Sequence, residues 1–164
     1  MRRAGDGEEM RRVDREVTEF DRIVGILDQC KVCRVGLNDE GEVYIVPMNF
    51  GYSLDGEDLT LYFHCAKEGR RMDILKTNRT VGFEMDCNHN LVEADTACRH
   101  SFKYASIIGT GEACFIENPK EKMDGFHIIM KHQTGKEFEF NEQMVAPVTM
   151  FKVRVRNYCC KEQR

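Results

Sequence analysis

The chain has 164 residues, 41% of them hydrophobic, which suits one globular domain and excludes a wholly disordered chain. No run approaches the roughly 18 apolar residues of a membrane span, and a net charge of −4 argues against a general nucleic-acid binder, whose domain would be basic. The charged stretch 1–15 has no apolar segment of a secretory signal, so the cytoplasm, with the 8 cysteines reduced, is the expected compartment.

In chain order, residues 1–13 read as a flexible charged tail with mixed signs, and 14–164 as a single domain. Phe20, Ile23, Val24 and Leu27 recur at helical spacing, so an amphipathic helix is expected over 18–29, with Thr18 as a weak start signal. A strand over 31–37, the turn Asn38-Asp39-Glu40-Gly41 and a strand over 43–50 form a hairpin. Pro47 removes a ladder donor, which places that second strand at an edge or breaks it. After a turn at 54–57, Leu59, Leu61 and Phe63 alternate with Thr60, Tyr62 and His64. A short helix follows over 69–77, then the alternating Val81, Phe83 and Met85. Residues 88–101 read as polar and irregular, and 103–116 as a long strand that Gly109 and Gly111 bend or bulge. Asn118-Pro119 starts a second helix with Met123, Phe126 and Met130 as its buried stripe and Gly135 at its end. Phe151, Val153 and Val155 then alternate with Lys152, Arg154 and Arg156.

That makes six strands, most joined by tight turns and therefore antiparallel. Such a sheet with a few flanking helices closes as a small barrel, because closure removes exposed edges.

Three stretches carry candidate chemistry. After the strand ending in His64-Cys65, a helix opens with Gly69-Arg70-Arg71. Free N–H groups at a helix start favour an anion, and guanidinium forks bind phosphate oxygens, so Arg70 and Arg71 form a candidate phosphate clamp. The competing reading is a solvated basic turn paired with Glu68 or Asp73. Around Pro47, the segment Val46, Pro47, Met48, Asn49 and Phe50 leaves backbone groups available to a flat heteroaromatic, unless it is simply an edge proline. Tyr104 and Ser106 share one strand face and could meet a polar cofactor tail or only water. Cys30-Lys31-Val32-Cys33 has C-x-x-C spacing, but no second pair completes a zinc site and no helix start follows it. A redox or metal role stands there against ordinary buried thiols. His89 near Cys87 supplies two ligands, which do not make a metal site.

Taken together and in order, Tyr44-Ile45-Val46-Pro47-x-x-Phe50, Tyr62-Phe63-His64-x-x-x-x-Gly69-Arg70-Arg71, Cys98 with Lys103-Tyr104-x-Ser106, and the long last strand resemble the 5-nitroimidazole resistance (Nim) proteins. These are a branch of the pyridoxamine 5′-phosphate oxidase-like flavoproteins, and the resemblance spans 15–158. It implies a mainly β, six-stranded antiparallel split barrel, an FMN cofactor (FAD or a deazaflavin being the alternatives) and a homodimer with cofactor at the interface. It puts Arg70 and Arg71 where the family has an Arg-Lys phosphate clamp, the second position differing here. His64 and Cys65 stand where strand-end residues approach phosphate and ring, Val46 to Phe50 beside the isoalloxazine, and Tyr104 and Ser106 at the later cofactor-facing pair. His64 is further tied to the substrate pocket; His132, in a matching Lys-His-x-Thr-Gly stretch, has no assigned role. The expectation is an FMN-dependent oxidoreductase reducing a nitroimidazole or another small electron-poor acceptor. His64 would orient that acceptor or donate a proton. Electrons would come from a nicotinamide nucleotide or a protein donor, and without G-x-G-x-x-G any nicotinamide would bind transiently. The alternatives are a non-enzymatic flavin-binding sensor or carrier and a thiol- or metal-based redox protein. The C-terminal substrate signature of a pyridoxamine-phosphate oxidase proper is not recognised.

Overall fold

Short polar turns between alternating segments fold most of the chain into one antiparallel sheet; residues 12–164 are described by a computed structural model. The strands are β1 (Val32–Asp39), β2 (Glu42–Asn49), β3 (Gly51–Asp55), β4 (Asp58–Cys65), β5 (Thr80–Val92), β6 (Ser101–Ile116) and β7 (Thr149–Gln163). Helices α1 (Phe20–Gln29), α2 (Arg70–Thr77), α3 (Pro119–Thr134) and α4 (Glu142–Val145) flank them. Glu40 and Gly41, both at positive φ (51° and 101°), turn β1 into β2, the geometry that matches the twist of a two-residue hairpin.

The sheet order is β2-β1-β5-β6-β7-β4-β3. The two edge strands are therefore consecutive in sequence, with Phe50 alone between them. An open sheet whose ends are one residue apart must curl until its edges meet, which makes this a split β-barrel. Phe50 is fully buried at that corner, 4.7 Å from the His132 ring and 6.4 Å from the Phe63 ring (centroids). Side chains at α3's end and beside it seal the corner. Gln133 Nε2 donates to Phe50 O at 2.8 Å and to Lys31 O at 3.0 Å, and Lys31 Nζ donates to His132 O at 2.7 Å.

Alternation fills the interior as the sequence predicts. Leu59, Leu61, Phe63, Val81, Phe83, Met85, Phe151 and Val153 point inward and are buried, with Ile23, Ile26 and Leu27 of α1 in the same core. A fully buried aliphatic or aromatic side chain contributes roughly 1.5–3 kcal/mol. A second, smaller core of Ile116, Ile129 and Met150 lies between α3 and the outer face of the barrel.

Five expectations need correction. The sheet has seven strands: Gly51–Asp55 pairs with β4, and the turn is only Gly56-Glu57. Residues 88–92 extend β5, with a register shift between Cys87 and Asn90 where Asn88 sits at φ 61°, while 93–100 are irregular as expected, with a 3₁₀ turn at Ala97–Arg99. Neither face of that extension is buried, so its polar composition imitates a loop. Helix α1 begins at Phe20, without a side-chain cap from Thr18. The buried line of α3 is Gly125 and Ile129, while Met123, Phe126 and Met130 are half-buried. Strand β7 continues to Gln163. Of the expected tail, residues 1–11 lie outside the described residues; Val13–Arg15 forms a 3₁₀ turn, and Val17 N donates to Cys160 O at 3.0 Å. The bend expected at Gly109 and Gly111 is present as a register shift between Thr110 and Gly111, and β2 with Pro47 is an edge strand.

Candidate anion site at the start of helix α2

Strand β4 delivers His64 and Cys65, and Gly69 at φ 120° turns the chain into α2. No side chain caps this helix start; Met72 N donates to Gly69 O at 2.8 Å, and the N–H groups of Arg70 and Arg71 are the ones that could meet an anion. Two cations in the first turn oppose the helix dipole, and an anionic ligand would offset that.

The two arginines have different surroundings. Arg70 Nε donates to Asp39 Oδ2 at 2.8 Å and Nη2 to Glu42 Oε2 at 2.9 Å, and its guanidinium lies 4.9 Å from the centre of the Tyr44 ring. Arg71 is half-buried, and its buried Nε has no hydrogen-bond partner among the described residues. An unpaired buried donor of this kind is costly. Burial, and then the Arg71 charge, hold the His64 pKa below its usual value. Burial pushes the Cys65 thiol up against the opposing pull of Arg71.

His64 is exposed on the outer face, its ring 5.2 Å from Phe126 of α3. The ring series continues to Phe140 at 5.4 Å and His127 at 5.0 Å. On β2, Pro47 and Asn49 face outward and are exposed, Val46 is half-buried and Met48 is buried; Phe50, just past the strand, is buried in the core. Phe50 thus has no free ring face to offer a surface ligand. Tyr104 and Ser106 share the outer face with Pro47, on β6, three strands from β2 in the sheet order. At about 4.8 Å per strand that is roughly 14 Å. A single chain therefore groups His64, Cys65 and Arg71 but not Tyr104 and Ser106.

Sequence reasoning missed Asp39 and Glu42 as partners of Arg70, having assigned Asp39 to the hairpin turn. The signal was a pair of acids bracketing that turn. It also left His132 open. His132 Nε2 lies 2.8 Å from Cys30 O and its ring contacts Phe50 and Tyr52, so it braces the barrel corner. The cysteines are free: burial raises Cys30 far above the usual thiol range and pushes Cys33 and Cys160 to about 12. Such thiols are poor nucleophiles and ligands. Among the described residues no three His, Cys, Asp or Glu side chains gather as a metal would need.

A seven-stranded split barrel with an uncapped, arginine-rich helix start defines the class of protein. A family model described as pyridoxamine 5′-phosphate oxidase matches residues 8–157, and the chain belongs to that family. It is similar to a solved protein of Bacteroides thetaiotaomicron provisionally described as a 5-nitroimidazole antibiotic resistance protein: 35% identity, 90% of this chain and 86% of that one covered, TM-score 0.77. The flavocytochrome Anf3 of Azotobacter vinelandii shares the fold at 17% identity and TM-score 0.76, over 95% of this chain and 72% of that one. So does an FAD- and heme-binding protein of Mycobacterium smegmatis, at 18% identity and TM-score 0.76, over 92% and 74%. No curated protein matches the chain. No helix among the described residues is long and apolar enough to cross a membrane.

Proposed function

We propose that the chain is a flavin-dependent oxidoreductase that holds FMN by its phosphate at the start of α2 and reduces a small electron-poor acceptor, such as a nitroheterocycle. The observation that carries this reading is the unpaired, buried Arg71 Nε at an uncapped helix start, next to exposed His64. The residues fit the group: the helix start with Arg71 would hold a phosphate, and the outward Pro47 edge of β2 would face a flat ring. Bound flavin would supply transfer of two electrons, the protein supplying binding, orientation and electrostatics. His64 would orient the acceptor beside Phe126 or give it a proton.

Beside Pro47 on the outer face of β2 lie Val43 and Ile45, 79% and 60% exposed. This apolar surface supports a homodimer whose partner brings its own Tyr104 and Ser106 face toward the ligand. The proposed setting is the cytoplasm, with a nicotinamide nucleotide or a redox protein as donor.

The test is anaerobic. NADH or NADPH should bleach the flavin-loaded protein, and a nitroimidazole or quinone should then restore the colour with turnover. His64→Ala should keep the flavin and lose acceptor turnover. Reduction without turnover of any acceptor would point instead to a flavin carrier or sensor. Unchanged turnover in His64→Ala would remove the histidine from the chemistry.

A further inference from the structure

The fold gives Cys30 a thiol neighbour far from it in the sequence. Cys30 is the C-cap of α1 and is fully buried. The β1–β5 ladder runs Val35↔Phe83 and Arg34↔Glu84, so at one residue per rung the start of β1 comes alongside Cys87. Val81, Phe83 and Met85 of β5 are buried in the core, and alternation turns Cys87 to the same side. Its facing residue on β6 is Ala105, which offers only a methyl group. The two thiols meet side chain to side chain, Cys30 donating to Cys87.

The pair is unequal. Cys87 is half-buried and sits where the register shifts between Cys87 and Asn90. Burial raises its pKa, while the hydrogen bond from Cys30 and the Arg22 charge favour its thiolate. Cys30 is held protonated by burial. Cys33 shares C-x-x-C spacing with Cys30, but it is fully buried on β1 and the charges acting on it are those of Glu84 and Arg34.

We infer that Cys30 and Cys87 are a reversible dithiol–disulfide pair, oxidised by hydroperoxides, that ties the end of α1 to β5. The Cys87 thiolate attacks one peroxide oxygen, the O–O bond breaks, and hydroxide leaves to give a sulfenic acid. The Cys30 sulfur then attacks the Cys87 sulfur, the S–O bond breaks, and the departing hydroxyl takes the Cys30 proton and leaves as water. The two thiols lose two electrons and two protons, and one hydrogen peroxide becomes two waters. A dithiol reductant reverses the bond by exchange. Neither flavin nor the start of α2 takes part, so the pair stands apart from the reading above.

The experiment treats the reduced full chain with hydrogen peroxide, blocks the remaining thiols with N-ethylmaleimide, and maps the peptides by mass after trypsin and a glutamate-specific protease. Cleavage after Lys31 parts Cys30 from Cys33, and cleavage after Glu93 parts Cys87 from Cys98, so each pairing has its own mass. Wild type should give mainly the Cys30–Cys87 link, lost on treatment with dithiothreitol. In Cys30→Ala the link should vanish and Cys87 should go on to sulfinic acid. In Cys87→Ser, Cys30 should stay a free thiol, while Cys33→Ala and Cys160→Ala should bridge as wild type does. The inference is overturned if Cys87 pairs with another cysteine, or if Cys87 stays reduced while the exposed Cys98 is oxidised. It is equally overturned if Cys30→Ala leaves the fate of Cys87 unchanged. Should Cys30→Ala not fold, Cys30→Ser takes its place, and the wild-type map decides the pairing without either.

Discussion

At the scale of single residues, His64 joins the binding site to the proposed chemistry. Its pKa is held below the ordinary histidine value by desolvation and then by the Arg71 charge, which favours the neutral imidazole in the ligand-free protein. An anion on Arg71 removes the second cause. NMR titration should therefore find the His64 pKa below that of a free histidine in the ligand-free protein and higher once phosphate or FMN is bound. A value that does not move on binding would show that the anion sits away from Arg71. Much of this was legible in sequence, since a strand end, a short loop and Gly-Arg-Arg announce an anion site. The different surroundings of the two arginines were not, because Asp39 and Glu42 lie 28 to 31 residues earlier and only hairpin closure brings them to Arg70.

At the scale of elements, the tightest constraint is where α3 crosses β3. A Cβ on Gly51 would lie 2.6 Å from Ile129 Cα and 2.7 Å from Ile128 O, contacts with backbone that no rotamer relieves. Gly51→Ala should cost about 1–3 kcal/mol by overpacking, read as a Tm lowered by roughly 3–10 °C at this chain length. Gly25 in α1 meets nothing within 4 Å, and alanine there should be neutral or stabilising by up to about 1 kcal/mol. Equal effects at the two positions would contradict this packing. Strands with one buried face, such as β4, could be read from alternation. The five-residue β3 could not, because it follows Phe50 directly and its residues are mostly half-buried. The β5–β6 extension was hidden for the opposite reason: backbone pairing forms it with no buried face to leave a pattern.

At the scale of the whole molecule, edge strands joined through Phe50 force the sheet to curl, and α2 and α3 place His64, Cys65 and Arg71 on one side of the result. The antiparallel barrel was predictable from turn lengths, but the corner was not, since a single residue carries it. Tyr104 and Ser106 remain three strands from β2, so a single chain leaves the proposed flavin site half-built, and the proposed homodimer would use the exposed Val43 and Ile45 beside Pro47. The most direct measurement is the visible spectrum of the purified protein, with mass identification of what it releases on heating. The account predicts flavin absorption and FMN released near one per chain, with FMN lost from Arg71→Ala. A colourless wild type that also fails to take up added FMN would contradict it.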